Sequence, residues 1–150
     1  MAKSFNFGEA PGHLIRRLQQ LAVAIFMEET AGFDATPVQF AILHALLEDP
    51  GEDQITLSGR VAFDPATFGS VIGRLEAKGW VKRETDPGDK RRKLLWITPA
   101  GEKVAVQMKR AVTRAQQRIV APLDEKERVQ LGTLLGKLVA AHENTGSADE

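Results

Sequence analysis

Hydrophobic residues along the chain recur at intervals of three and four, the spacing that gathers them on one face of an α-helix. The first such segment covers about residues 10–30. Its apolar positions are Leu14, Ile15, Leu18, Leu21, Ala22, Ile25 and Phe26. Contact with a single neighbouring helix requires a narrower face than this. We therefore predict a long helix that also packs against a partner subunit.

The second predicted helix has distinct start and stop signals. Thr36 and Gln39 have the spacing of a capping box, and Pro37 lies in the first turn, where its missing N–H group costs nothing. Apolar residues continue to Glu48, and the sequence Asp-Pro-Gly that follows is a turn signal. We therefore predict a helix that begins at this capping box and ends at Glu48.

Two short helices joined by a tight turn are predicted next. Thr56 caps the first, which runs from Leu57 to about Phe63, and Asp64 with Pro65 opens the second. The apolar stripe of the second consists of Phe68, Val71, Ile72 and Leu75. Its exposed side carries Thr67, Ser70 and Arg74. This arrangement is a helix-turn-helix, and a helix with a thin exposed face fits the major groove of DNA.

A basic hairpin is predicted directly after these helices. Gly79 ends the second helix, Trp80–Glu84 has the pattern of a strand, and Leu94–Ile97 has that of the returning strand. The sequence Asp-Pro-Gly-Asp at residues 86–89 is a turn signal. Four consecutive cations follow the turn: Lys90, Arg91, Arg92 and Lys93. A cationic hairpin beside a groove-binding helix can reach phosphates or the minor groove.

The rest of the chain is predicted to form two more helices. Thr98–Gly101 caps a helix that extends to about Val120, a length of about 33 Å at 1.5 Å per residue. Pro122 stops this helix, and Asp124 with Glu127 caps the last one.

Composition limits the kind of protein this is. A length of 150 residues suits one domain, and no run of eighteen apolar residues occurs. Because the first nine residues also lack the apolar core of a signal peptide, we expect a cytoplasmic protein with no membrane partner. The absence of cysteine excludes disulfides, thiolate metal sites and a thiol redox switch.

The formal net charge of zero conceals a segregation of charge. Residues 70–118 contain thirteen Lys/Arg and five Asp/Glu, whereas residues 1–69 contain four and nine. Residues 119–150 contain three Lys/Arg and six Asp/Glu. Cations are thus concentrated in the hairpin and the long helix after it, as expected for a protein that binds a polyanion.

These features together resemble the winged helix-turn-helix of the MarR family of bacterial transcription regulators. The matching segments are Asp64–Leu75, Lys78-Gly79, Asp89-Lys90-Arg91 and Leu95–Gly101, and the likeness extends over about residues 10–142. The resemblance implies a mainly α fold with a small β-hairpin wing (α+β). It also implies an intertwined dimerisation region formed by residues 9–32 and 99–145, with a DNA-binding lobe at residues 34–98.

The resemblance assigns DNA-binding roles to the wing. It places Arg91 in the minor groove, with Asp89 positioning it; the alternative is that this pair only stabilises the hairpin. Lys90, Arg92 and Lys93 are expected to face phosphates or solvent, contacts that fix register without reading sequence.

On the exposed side of the second short helix, Thr67, Ser70 and Arg74 are the base or phosphate candidates. Arg74 can bind guanine through two hydrogen bonds, and its alternatives are a phosphate contact or an ion pair with Glu76. Many relatives have an arginine where this chain has Ser70, so no operator sequence is predicted.

Family members commonly bind a small anionic, often aromatic, molecule between the dimer helices and the DNA-binding lobe. The candidates here are His13, Arg16 and Arg17 on the first helix and Phe40 and His44 on the second. Alternatively, His44 is a half-buried core residue and the two arginines are solvated or bridge the dimer. Relatives with a similar second helix imply an aromatic acid or its CoA thioester as effector.

Nothing in the sequence indicates catalysis. Three scattered histidines lack metal-ligand spacing, and there is no G-x-S-x-G motif, phosphate loop or cysteine nucleophile. We therefore expect no enzyme activity, cofactor or metal. Our interpretation is a homodimeric repressor that binds a pseudo-palindromic operator in double-stranded DNA and is released by a small effector. The alternatives are a DNA-binding architectural protein and a winged-helix protein-interaction module without an effector.

Overall fold

The computed structural model describes residues 4–61 and 64–145 of the chain. These residues form six α-helices, a two-stranded antiparallel sheet and a short 3₁₀ turn at Phe7–Glu9. The helices are α1 (Pro11–Glu29), α2 (Pro37–Glu48), α3 (Gln54–Arg60), α4 (Pro65–Ala77), α5 (Pro99–Val120) and α6 (Glu125–Thr145). The strands, which form the wing, are β1 (Val81–Asp86) and β2 (Asp89–Ile97). The predicted α+β winged-helix fold is confirmed.

The chain divides into two compact units, Met1–Ala115 and Gln116–Glu150. The first contains α1 to α4, the wing and most of α5, and the second contains the end of α5 and α6. The capping box predicted for α6 is present. The Asp124 side chain accepts the N–H of Glu127 at 2.9 Å, and the Glu127 side chain accepts the N–H of Asp124 at 3.1 Å.

The predicted start signals of α2 and α5 also form as hydrogen bonds. The Thr36 hydroxyl accepts the N–H of Gln39 at 3.2 Å, and the Gln39 side chain accepts the N–H of Thr36 at 3.2 Å. The Thr98 hydroxyl likewise accepts the N–H of Gly101 at 3.1 Å. Helix α5 then continues for 22 residues to Val120, as predicted. These starts were predictable because each cap is satisfied within four residues.

Helix α3 begins at Gln54, so the predicted start at Leu57 with a Thr56 cap is wrong. Asp53 is the N-cap, and its Oδ1 accepts the N–H groups of Ile55 at 3.0 Å and Thr56 at 3.2 Å. A carboxylate is favoured there because its charge also interacts with the positive end of the helix dipole. The helix ends at Arg60, and the predicted end at Phe63 lies outside the described residues.

Helix α4 has the predicted beginning and end. The Asp64 carboxylate accepts the N–H of Thr67 at 3.1 Å. At the other end Gly79 has a φ of +75°, and the N–H of Trp80 donates to the carbonyl of Leu75 at 3.0 Å. This Schellman pattern requires a left-handed residue, which glycine adopts without strain, and it turns the chain directly into the wing.

The wing strands are longer at the tip than predicted. Strand β2 begins at Asp89 rather than at Leu94, and β1 extends to Asp86 rather than ending at Glu84. Cross-strand hydrogen bonds continue to this point, with a bulge next to Asp86. The four cations at residues 90–93 therefore lie within β2, but residues 90–92 have no cross-strand partner in the described part of the chain, because the register passes from Thr85 opposite Lys93 to Asp86 opposite Asp89.

The base of the wing is held by the segment that leads into α3. The N–H of Gly51 donates to the carbonyl of Leu95 at 2.9 Å, and the N–H of Leu95 donates to the carbonyl of Glu52 at 2.9 Å. Gly51 has a φ of +83°, and a Cβ there would lie 2.6 Å from the Trp96 ring. The backbone between α2 and α3 thus pairs briefly with β2, beside the hairpin.

One hydrophobic core joins the helix-turn-helix to the wing. Phe68, Ile72 and Leu75 of α4 are fully buried, and they share a cluster with Leu95 of the wing. Further members of this cluster are Ile42, Leu43, Ala45, Leu46, Leu57, Val71, Val81 and Ala105. Because α4 and the wing pack into the same core, their relative orientation is fixed by side-chain packing.

A second cluster connects α1 to α5 and meets the first at Trp80. Its buried members are Phe26, Ala35 and Met108, and Trp80 packs against both clusters. The N–H of Thr98 donates to the Trp80 carbonyl at 3.0 Å, close to the first turn of α5. Trp80, three residues beyond the end of α4, is therefore packed against both clusters.

Several apolar residues of α1 are exposed in the single chain. Leu14, Ile15, Leu18 and Leu21 are between 42% and 55% exposed, whereas Phe26 is buried. Helix α6 separately exposes Val129, Leu134, Leu135, Leu138 and Val139. Throughout the described part of the chain, each helix is too short or too polar to cross a membrane.

Helix α5 approaches the Trp80 backbone so closely at Gly101 that adding one methyl group there should destabilise the protein. A Cβ at Gly101 would lie 2.2 Å from the Trp80 carbonyl oxygen, which the Thr98 N–H holds in place. We expect Gly101→Ala to lower the free energy of unfolding by about 1–3 kcal/mol, measured by urea denaturation at fixed protein concentration. In the control Gly73→Ala no atom lies within 4 Å of the new methyl group. This variant should gain up to about 1 kcal/mol, and equal effects of the two substitutions would contradict the packing described here.

Candidate nucleic-acid interface

The recognition helix α4 presents a narrow polar face. Thr67, Ser70 and Arg74 are exposed, as predicted, while the apolar stripe of the helix is buried. The hydroxyl of Thr67 donates to the carboxylate of Asp64 at 3.0 Å, so the Thr67 side chain is oriented by the helix cap. A small face of this kind can enter the major groove without steric obstruction.

Arg74 is available for an external partner. The suggested ion pair with Glu76 does not form, because Glu76 accepts two hydrogen bonds from Arg83 of the wing, at 2.7 and 3.1 Å. Within residues 4–61 and 64–145, Arg74 has no hydrogen-bond or ion-pair partner. It lies at the edge of a cleft of about 410 Å³ with Lys78 and Met27.

At the wing tip, Arg91 is extended into solvent. Its side chain is 92% exposed, and its Nε donates to Asp89 at 3.2 Å. The backbone N–H of Arg91 donates to the same oxygen at 3.0 Å. These bonds, the backbone bond first, lower the pKa of the Asp89 carboxyl. Asp89 thus holds the Nε of Arg91, and the two terminal guanidinium nitrogens make no hydrogen bond or ion pair within the described part of the chain.

The remaining wing cations have different surroundings. Lys93 donates to the hydroxyl of Thr85 at 2.8 Å. Arg92 lies 3.4 Å from a carboxylate oxygen of Asp86 and 3.6 Å from one of Asp53. Lys90 is exposed and has no hydrogen-bond or ion-pair partner in the described ranges. Sequence reasoning grouped these cations together, because adjacency in sequence does not reveal which carboxylates lie opposite each strand face.

Sequence reasoning missed Asp53 and Arg60. Asp53 carries a carboxyl whose pKa is lowered mainly by the hydrogen bond from the Thr56 hydroxyl. Its position three residues before a threonine was the local signal of a cap. Arg60 forms ion pairs with Asp49 and Glu52 and lies 3.6 Å from Glu48, so its charge is neutralised within the lobe. That cluster depends on the fold and has no local signature.

The candidate effector residues form two separate groups in the single chain. In the first, the His13 ring packs against Phe7 at 4.7 Å between centroids, and Arg16 hydrogen-bonds His13 at 3.3 Å. Arg17 donates to Gln20 at 3.3 Å. His13, Arg16 and Arg17 all lie in the first two turns of α1.

The second group lies where α1 meets α2. The Phe40 ring is 5.9 Å from that of His44 and 6.4 Å from that of Phe26. His44 is 49% exposed and 3.8 Å from Glu48, so it is not a core histidine. Phe26 follows His13 by thirteen residues, which corresponds to about 20 Å along a helix. Among the described residues, the contacts of His13, Arg16 and Arg17 are with one another, Phe7 and Gln20, and none joins them to the Phe40–His44 pair.

The described residues contain no group of three or more His, Cys, Asp or Glu side chains arranged to hold a metal ion. The acidic residues of the lobe are instead engaged as helix caps, as in Asp53 and Asp64, or in ion pairs with arginines.

Comparison with known proteins places these features in a family. The sequence matches the MarR family over residues 35–93. The HTH-type transcriptional repressor NicR of Pseudomonas putida is 30% identical over 142 residues, which cover 95% of this chain and 90% of NicR.

Solved structures resemble about nine tenths of the chain. BpsR of Bordetella bronchiseptica, whose DNA binding is regulated by 6-hydroxynicotinic acid, aligns with a TM-score of 0.87 and 32% identity. The alignment covers 91% of this chain and 98% of BpsR. A mutant of Escherichia coli MarR in complex with operator DNA aligns with a TM-score of 0.82 and 27% identity, over 91% of this chain and 99% of that one.

Proposed function

Because this chain belongs to the MarR family of transcriptional regulators, we propose that it represses transcription as a homodimer on a pseudo-palindromic operator and that a small anionic effector releases it. The proteins of this family regulate transcription and are not enzymes. The operator, the dimer and the effector are the steps that we add, and each rests on a different part of the structure.

DNA binding is supported above all by one observation: the polar face of α4 and the free guanidinium of Arg91 belong to elements that share a core. A rigid lobe can present a helix to the major groove and an arginine to the neighbouring minor groove at the same time. Ser70 and Arg74 then contact bases or phosphates in the major groove, and Lys90 contacts the backbone.

A homodimer is supported by the exposed apolar residues of α1 and α6. Rows of leucine and valine on two long helices are unfavourable in water, and burying each large side chain contributes about 1.5–3 kcal/mol. In our proposal residues 9–32 and 99–145 form the dimerisation region. A twofold axis sets the two recognition helices about 34 Å apart, the spacing of successive major grooves on one face of DNA.

The effector site that we propose contains Phe40 and His44, which offer a ring and a polar nitrogen at an exposed position. The cations for an anionic ligand then come from the partner's copy of α1, since the described contacts of this chain's His13, Arg16 and Arg17 are with one another, Phe7 and Gln20. An aromatic acid or its CoA thioester fits this chemistry, and the regulation of BpsR by 6-hydroxynicotinic acid supports an aromatic acid.

Release from DNA then follows from differential affinity. An effector that binds better to a dimer with the wrong spacing of recognition helices lowers operator affinity by its coupling free energy, typically about 1–3 kcal/mol. The relationship to the repressor NicR supports repression rather than activation. An architectural protein or an interaction module would lack this response to a ligand.

Arg91→Ala tests the wing assignment. Because the guanidinium in our proposal lies in the minor groove, we expect operator affinity to fall at least tenfold, equivalent to about 1.4 kcal/mol. Fluorescence anisotropy with labelled DNA from the region upstream of its own gene measures this. Lys126→Ala, which removes one cation from α6, is the charge-matched control and should bind like the wild type. Unchanged affinity of Arg91→Ala at physiological salt would reject the minor-groove contact.

His44→Ala and Phe40→Leu test the effector site. Both should bind the operator like the wild type and should need at least tenfold more effector for release, about 1.4 kcal/mol of lost binding. The assay is the anisotropy of the protein–DNA complex titrated with aromatic carboxylic acids and their CoA thioesters. Leucine retains most of the apolar volume that packs against Phe26. A wild-type response to effector in both variants would place the site elsewhere.

A further inference from the structure

We propose that Arg92 is a positioning residue of the wing, which braces β2 against the start of α3, and that it does not bind DNA. This inference rests on the proposed DNA binding, because it concerns how Arg91 is held for that purpose. It separates Arg92 from Lys90 and Lys93, all three of which the sequence assigned to phosphates or solvent.

The guanidinium of Arg92 bridges two carboxylates from different elements. Its Nη2 lies 3.6 Å from Oδ2 of Asp53, the N-cap of α3, and its Nη1 lies 3.4 Å from Oδ2 of Asp86 at the end of β1. The two carboxylates are only 15% and 19% exposed. Arg92 itself is 52% exposed, so its guanidinium lies at the surface with both terminal nitrogens facing acids that are more buried than it is.

Both carboxylates are fixed independently of Arg92. Asp53 uses its Oδ1 to accept the N–H groups of Ile55 and Thr56, and its Oδ2 faces Arg92. Asp86 uses its Oδ1 to accept the N–H of Gly88 at 2.8 Å, and its Oδ2 also faces Arg92. The acids are therefore preorganised by the backbone, and Arg92 occupies a site that is already formed.

Arg92 lies between the wing tip and the point where the wing pairs with the segment before α3. Backbone pairing between the wing and the segment before α3 reaches only to Leu94, which bridges Asp53. Arg92 is two residues nearer the tip, and the next residue toward the turn is Arg91. The side chain of Arg92 thus extends the attachment of the wing beyond the last backbone contact. We infer that it limits the angle at which Arg91 enters the minor groove.

A brace and a phosphate contact predict opposite results when the acids are neutralised. Asp53→Asn/Asp86→Asn removes two negative charges, which by electrostatics alone should strengthen binding to DNA. Asparagine caps a helix as well as aspartate and retains the oxygen that accepts the backbone N–H groups. If Arg92 is a brace, the double variant should instead bind about three- to tenfold more weakly, although all its cations are intact.

The salt dependence of affinity supplies a second distinction. Each phosphate contact contributes about −0.9 to the slope of log K against log salt concentration. Lys90→Gln, the control for a phosphate contact, should make the slope shallower by about one. Arg92→Gln should weaken binding about three- to tenfold with an unchanged slope. Arg92→Lys should bind as weakly as Arg92→Gln, because one ammonium group cannot span both carboxylates.

The experiment is anisotropy with the intact dimer on operator DNA over a series of salt concentrations, together with amide hydrogen exchange of the free protein. Faster exchange at residues 89–93 in Arg92→Gln, with unchanged exchange in α5, is expected from a loosened wing. Three results would overturn the brace. One is equal or tighter DNA binding by Asp53→Asn/Asp86→Asn, and another is a salt slope that becomes as shallow in Arg92→Gln as in Lys90→Gln. The third is unchanged amide exchange at residues 89–93 in Arg92→Gln. Absence of specific DNA binding by the wild type would reject the proposed function instead, and exchange would still decide the brace.

Discussion

Trp80 packs at the junction of the two hydrophobic clusters and fixes how the lobe meets α1 and α5. Trp80 follows the Schellman turn that ends the recognition helix, and its ring joins the core of the lobe to the cluster around Phe26 of α1. The ammonium of Lys78 lies 4.6 Å from the centre of this ring, and the carbonyl of Trp80 leaves room only for glycine at position 101. A displacement of α1 or α5 relative to the lobe must therefore move the residues that follow α4 or break this packing.

Some cations of the wing pair with groups of the protein, and others face solvent. Arg83 is bound to Glu76, Arg92 lies between two acids, and Lys93 donates to Thr85 within the hairpin. Lys90 and the terminal nitrogens of Arg91 remain directed to solvent at the tip. Net charge is therefore a poor guide to this interface, because a protein with no formal net charge can present free cations at one point and neutralise others by local pairing.

Features specified by neighbouring residues were predictable from the sequence, and features specified by contacts between distant elements were not. The caps at Thr36, Asp64 and Asp124 are satisfied within one helical turn, so their residue types and spacing were sufficient. The recognition face followed from helical periodicity alone. The bridging of Asp53 and Asp86 by Arg92 depends on how the hairpin meets α3, and the separation of His13 from Phe40 depends on the length of α1. The prediction of where α3 begins was wrong for a local reason, because Asp53 rather than Thr56 is the N-cap.

Equilibrium binding of the wild-type protein to DNA from upstream of its own gene, against random competitor DNA and across salt concentrations, tests the central claim most directly. We expect one dimer per site with a dissociation constant of about 10⁻⁸ M or lower at physiological salt. We also expect a steep loss of affinity as salt rises. Binding no tighter than to random DNA, throughout the upstream region, would contradict a repressor that recognises a specific operator there.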